Sequence, residues 1–157
     1  MENTGSYEQV KSAALTFLKS HTLGTLATVS PDGDPRARAV YFACDDSFSI
    51  YFVTHADTRK WADIKEHAQA AFAVSDEKIP QTVQIEGTVT NLTNTALIDP
   101  ALVDLTVVIL SNTLYFAPIT RFSPADMVFL KLTPNWVRWG DFSKGNGTQD
   151  VLKEIPL

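Results

Sequence analysis

Residues 48–67 read FSIYFVTHADTRKWADIKEH. The first seven, FSIYFVT, are dense in aromatic and β-branched side chains and read as a strand. Trp61, Ile64 and Ala68 then recur at helical spacing, and Asp57 is placed to cap a helix over 57–67. A strand therefore turns directly into a short helix, and that helix begins oddly. Arg59 and Lys60 occupy its first turn, beside the hydroxyls of Thr54 and Thr58. The N-terminal end of a helix carries partial positive charge and favours acidic residues. Two cations there either stretch into water or gather around an anion, and helix N-termini are natural anion sites.

The flanking sequence places this unit among short strands. LGTLATVS (23–30) reads as a strand, SPDGDP (30–35) as a turn, and RARAVYFAC (36–44) as a second strand that alternates. Arg36, Arg38, Val40 and Phe42 share one of its faces, so two cations stand on an otherwise apolar side and need an anion or an exit. Downstream, QAAFAVSD (69–76) reads as a strand. Pro80 opens a clearer one, with Val83, Ile85, Gly87 and Val89 on one face and Thr82, Gln84, Glu86 and Thr88 on the other. MVFLKLTP (127–134) and WVRWGDF (136–142) read as a closing pair of strands. Helices are expected at 6–20, with Ser6 as its cap, and at 101–111, with Asp99 and Pro100 at its start. Residues 113–124 carry no assignable pattern. Many short strands at regular spacing favour a small barrel over a parallel sheet.

Length and composition bound the rest. A chain of 157 residues is expected to form a single domain over 1–157. The net charge of −5 and pI near 5.0 give no electrostatic footprint for nucleic acid. No run approaches the ~18 apolar residues of a membrane span, and the N-terminus MENTGSYEQV lacks a signal pattern. With one cysteine, Cys44, no intrachain disulfide forms. The expectation is a cytoplasmic protein without nucleic-acid or membrane partners.

Catalytic and metal motifs are missing. The sequence has no GxSxG, GxGxxG or P-loop, and His21, His55 and His67 lack metal-site spacing. Asp45 and Asp46 beside Cys44 should raise the thiol pKa, against a nucleophilic role. Trp136, Arg138 and Trp139 form the other notable cluster. It reads first as barrel core and interface, and second as a wall against a planar ligand.

The order of four blocks, RAVYF (38–42), IYFVT (50–54), THADTRK (54–60) and TVQIEG (82–87), resembles the FMN-binding split barrel of the pyridoxamine 5′-phosphate oxidase-like superfamily. The likeness covers roughly residues 20–93, with a looser fit at the C-terminal strands. It implies a mainly β fold with helices: a six-stranded antiparallel Greek-key split barrel that works as a homodimer with FMN at the subunit interface. Carried over by position, Arg38, Thr58, Arg59 and Lys60 would hold the FMN phosphate. Ala39, Val40 and Tyr41 would run beside the flavin ring, with Val53 and Thr54 on the next strand. Thr82 stands where relatives often place a ring-binding glutamine, which Gln84 would replace, and Trp136 or Trp139 is carried over as a partner-side contact.

The C-terminal arginine and histidine set of the true oxidases is not found after Arg138, so the resemblance is to a short member that does not oxidise pyridoxamine phosphate. The implied function is an FMN flavoprotein, an oxidoreductase acting on an unknown small molecule with NAD(P)H or another donor. The alternatives are a non-catalytic FMN- or haem-binding sensor and a small barrel used for protein contacts. No side chain is assigned as a catalytic acid or base.

Overall fold

The computed structural model describes residues 4–94, Leu105, 123–143 and 151–157. In chain order these form α1 (Thr4–Lys19), β1 (Leu23–Val29), β2 (Pro35–Tyr41), β3 (Ala43–Cys44), β4 (Ile50–His55), α2 (Arg59–Glu66), β5 (Gln69–Asp76), β6 (Gln81–Asn91), a 3-10 turn (Pro124–Asp126), β7 (Met127–Asp141) and β8 (Leu152–Glu154). All strand pairings are antiparallel, in the order β2-β1-β5-β6-β7-β4-β3, with β8 added to β7. The described residues therefore hold eight strands, not six, because two short pairings join the six main ones.

The two ends of this sheet are covalent neighbours. β2 pairs with β1 at one edge, β3 pairs with β4 at the other, and only Phe42 lies between them. The chain expected as one strand over 36–44 thus leaves one edge and joins the opposite one, curling the sheet into a half-barrel. Phe42 marks the corner: its N–H donates to the Thr22 carbonyl at 3.0 Å, and its buried ring packs edge-on against Phe72 at 4.9 Å. Gly33, at φ 90°, lets the Ser30–Pro35 turn reverse the chain between β1 and β2.

The closing pair of strands is one strand. β7 runs through Pro134, which a continuous central strand normally excludes. Two features admit it. The β6–β7 register shifts at Glu86/Gly87, so Trp136 faces Glu86 and Pro134 faces Gly87, leaving Asn135 as the extra residue of a bulge. In addition, β7 pairs with β4 over 127–132 and with β8 over 138–140, and Pro134 falls in the gap between these neighbours. Gly87 is required here, since a Cβ on it would stand 2.1 Å from the Thr133 carbonyl oxygen.

The core fills the curl with Leu26, Phe52, Phe72, Val83, Ile85, Leu130 and Val137, closed on one side by Ala14, Phe17 and Leu18 of α1. Burying each large apolar side chain contributes roughly 1.5–3 kcal/mol. β4 is buried on both faces: Ile50 and Phe52 enter this core, while Tyr51 joins a second cluster with Ala43 and Leu105, flanked by Val53. Helix α1 begins at Thr4, so Ser6 is not its cap. The expected helix over 101–111 lies outside the described residues except for Leu105, which is helical and fully buried.

Candidate functional site

The β4–α2 junction is built by hydroxyls. The cap of α2 is Thr58 rather than Asp57: its backbone is extended and its Oγ1 accepts the Trp61 N–H at 3.3 Å. The same hydroxyl donates to the His55 carbonyl at 2.9 Å and lies 2.7 Å from the hydroxyl of Thr54, which is buried. Both threonine hydroxyls are thus engaged within the chain. His55 fastens the turn further, with its Nδ1 accepting the Asp57 N–H at 3.2 Å, and the Ala56 N–H donates to the Asp126 carbonyl.

Beneath this helix lies an ionic cluster centred on Asp63, a residue the sequence reading did not single out. Asp63 is fully buried and accepts from Arg36 at 2.6 Å, Arg38 at 3.2 Å and the Thr28 hydroxyl at 2.8 Å. Burial pushes its carboxyl up, but the bonds from Thr28 and Arg38 and the charges of both arginines outweigh this and hold it below the usual carboxylate range. The anion demanded by two arginines on an apolar face is therefore internal. The clue in the sequence was that demand; its answer required knowing that Asp63 of α2 reaches Thr28 on β1 and both arginines on β2. Arg38 directs one bond to Thr28 and one to Asp63, which leaves three of its five N–H donors.

Lys60 differs from both arginines. It is half-buried and makes no ion pair or hydrogen bond with any described residue. Burial, helped by the neighbouring Arg38 charge, pushes its pKa down to about 8. Arg59 beside it is exposed. The start of α2 therefore gathers Arg38, Arg59 and Lys60, and its local anion, Asp63, is already shared between two arginines. A desolvated ammonium without a counter-charge is costly unless an anion arrives. The residues present fit an anion with several acceptor oxygens, such as a phosphate monoester.

The other sequence-predicted residues fall in different places. Val40 and Trp139 are in the core, Trp139 edge-on to Phe17 at 5.4 Å, and neither is joined to the Lys60 group by a described contact. Val53 flanks the second cluster, on the face of β4 opposite Thr54. Ala39 is exposed and Tyr41 half-buried on the outer face of the sheet. Thr82 is buried and donates to the Val74 carbonyl at 3.0 Å, while Gln84 on the same face is half-buried. Burial, aided by Asp45 and Asp46, pushes the Cys44 thiol up to about 11, which disfavours a thiolate near neutral pH. Among the described residues no His, Cys, Asp and Glu group is arranged to hold a metal, and no helix is long and apolar enough to cross a membrane.

The chain is a mainly antiparallel β half-barrel with a basic, partly desolvated cluster where its fourth strand enters its second helix. The sequence profile described as pyridoxamine 5′-phosphate oxidase matches residues 10–139, and the chain belongs to that family. A pyridoxine/pyridoxamine 5′-phosphate oxidase of Salinibacter ruber is 37% identical over 68 residues, which are 43% of this chain and 32% of that protein. The chain spans about a third of the length of the curated relatives it matches. Among solved structures, an F420 reductase is similar with a TM-score of 0.59 and 25% identity, covering 78% of this chain and 93% of that one. A heme binding protein from Mycobacterium smegmatis shares the fold with a TM-score of 0.64 and 17% identity, covering 98% of this chain and 59% of that one.

Proposed function

We propose that this chain is an FMN-binding flavoprotein, an oxidoreductase for a small-molecule substrate, that works as a homodimer. The observation that carries the reading is Lys60: a half-buried ammonium, without a partner among the described residues, beside Arg38 and Arg59 at the start of a helix. Family membership and the likeness to an F420 reductase support a flavin as the bearer of the phosphate. Arg38, Arg59 and Lys60 would hold the phosphate, and the outer-face residues Ala39, Tyr41, Thr82 and Gln84 would lie along the ring. When bound, FMN supplies electron or hydride transfer. The chain's own residues then have positional work. Arg36 and Asp63 fix Arg38, and the Thr54–Thr58 pair fixes the first turn of α2. The homodimer is supported by the outer sheet face, where Leu23, Thr25, Ala37 and Ala39 are exposed side by side on β1 and β2.

Titrating FMN and riboflavin into wild type and Arg59→Ala tests the reading. Arg59→Ala should weaken FMN roughly 10- to 150-fold, the worth of one charge-assisted bond, and leave riboflavin unchanged. Equal FMN affinities would falsify the phosphate assignment. Reduction of the bound flavin by NADH or NADPH, with turnover, separates an oxidoreductase from a passive carrier. Sedimentation as a monomer with FMN bound would sink the homodimer.

A further inference from the structure

The outer face of the sheet carries a second cation with no internal use. Directly opposite residues on paired strands share a face. The register therefore sets Ala39, Thr25, Ala73, Gln84, Arg138 and Glu154 in one row across β2, β1, β5, β6, β7 and β8. Gln84 and Arg138 are neighbours in that row, about 5 Å apart at the strand spacing. Arg138 is half-buried, and its Nε is fully buried with no hydrogen-bond partner. Glu154 stands opposite it on β8, yet the two form no ion pair, and the Gln84 amide is engaged by no described residue. Arg36 and Arg38 show how this fold employs an arginine structurally: both are bonded to Asp63. Arg138 has no such partner among the described residues.

We propose that Arg138 and Gln84 form a subsite for the carboxylate of a small acidic ligand. The two Nη groups end the half-buried side chain, are engaged by no described residue, and set the geometry, since Nε itself is covered. They present N–H donors side by side, and a planar carboxylate accepts one from each. The Gln84 amide offers a further N–H from the neighbouring strand. Ala73 and Thr25 keep the row low beyond Gln84, and half-buried Trp136, two residues before Arg138 on the same face, supplies a flat apolar wall. That this ligand is the substrate rests on the flavoprotein reading, because Gln84 belongs to the set placed along the ring; the carboxylate subsite itself does not.

Isothermal titration of benzoate, benzamide and inorganic phosphate into the full chain, with and without FMN, tests the proposal against Arg138→Gln and Arg138→Lys. Benzoate should bind wild type more tightly than benzamide. Arg138→Gln should weaken benzoate roughly 10- to 150-fold and leave benzamide and FMN unchanged. Arg138→Lys should recover part of the loss, since it keeps the charge without the fork; it also carries the test if Arg138→Gln unfolds. Absence of benzoate binding to wild type, or binding indifferent to both substitutions, would overturn the subsite. Phosphate bound as tightly as benzoate would overturn its carboxylate preference, and a loss of FMN affinity matching that of benzoate would make Arg138 a flavin ligand instead. Arg138-dependent benzoate binding in a chain that ignores FMN would leave this proposal standing and remove the flavoprotein reading.

Discussion

Asp63→Asn tests the ionic cluster that underlies the site. Asparagine keeps the shape of the side chain and removes its charge, leaving two guanidinium groups facing a neutral amide. Their side chains are only 26% and 23% exposed. Removing one partner of a buried ion pair costs about 3–5 kcal/mol. The residual access of both arginines to water moderates this, so the lower end, about 3 kcal/mol, is expected at pH 7. For a chain of this length that lowers Tm by about 6–12 °C. The pH dependence follows from the depressed carboxyl. Its stabilisation is fully present well above the ordinary value of 3.8 and is lost as pH falls through the still lower folded value. Thermal unfolding followed by circular dichroism should therefore show a gap between wild type and Asp63→Asn that is constant near neutrality and closes in acid. A Tm at pH 7 within about 2 °C of wild type would refute the claim that Asp63 is the structural counter-ion of Arg36 and Arg38.

Lys60 supplies a second pH signature. With its pKa pushed down to about 8, it offers a charge to phosphate only below that pH, so FMN affinity should fall as pH rises through about 8 while riboflavin affinity stays flat. Lys60→Arg should abolish the step, and a step of equal size for riboflavin would reassign it to the ring. In the ligand-free chain the same depression means that stability rises with pH between about 8 and 10.5, the ordinary lysine value, which denaturant titrations across that range can check. Gly87→Ala places a methyl 2.1 Å from the Thr133 carbonyl oxygen and should cost at least about 1–3 kcal/mol; an unchanged Tm would mean that the bulge relaxes freely.

What the sequence disclosed depended on how local the cause was. β6 was legible because one face is wet: Val83, Ile85 and Val89 are buried while Glu86 and Thr88 are exposed, and period two shows it directly. β7 was not legible as one strand, since Pro134 normally breaks a ladder, and only a bulge and a change of neighbour from β4 to β8 admit it. The corner at Phe42 was hidden because alternation continues across it while the pairing partner changes. Asp57 and Thr58 are both competent caps, and backbone conformation selects Thr58. The basic residues carry the wider lesson. Arg36, Arg38, Arg59, Lys60 and Arg138 look alike in a string of letters, each a cation beside strand or helix residues. The fold separates them by what each finds to accept its protons: Asp63 takes Arg36 and Arg38, water takes Arg59, and Lys60 and the Nε of Arg138 find no described acceptor. Binding sites draw most on that remainder, because a cation left desolvated and unpaired has most to gain from a ligand; Arg38 adds only its uncommitted N–H donors, and Arg59 exchanges water for the anion.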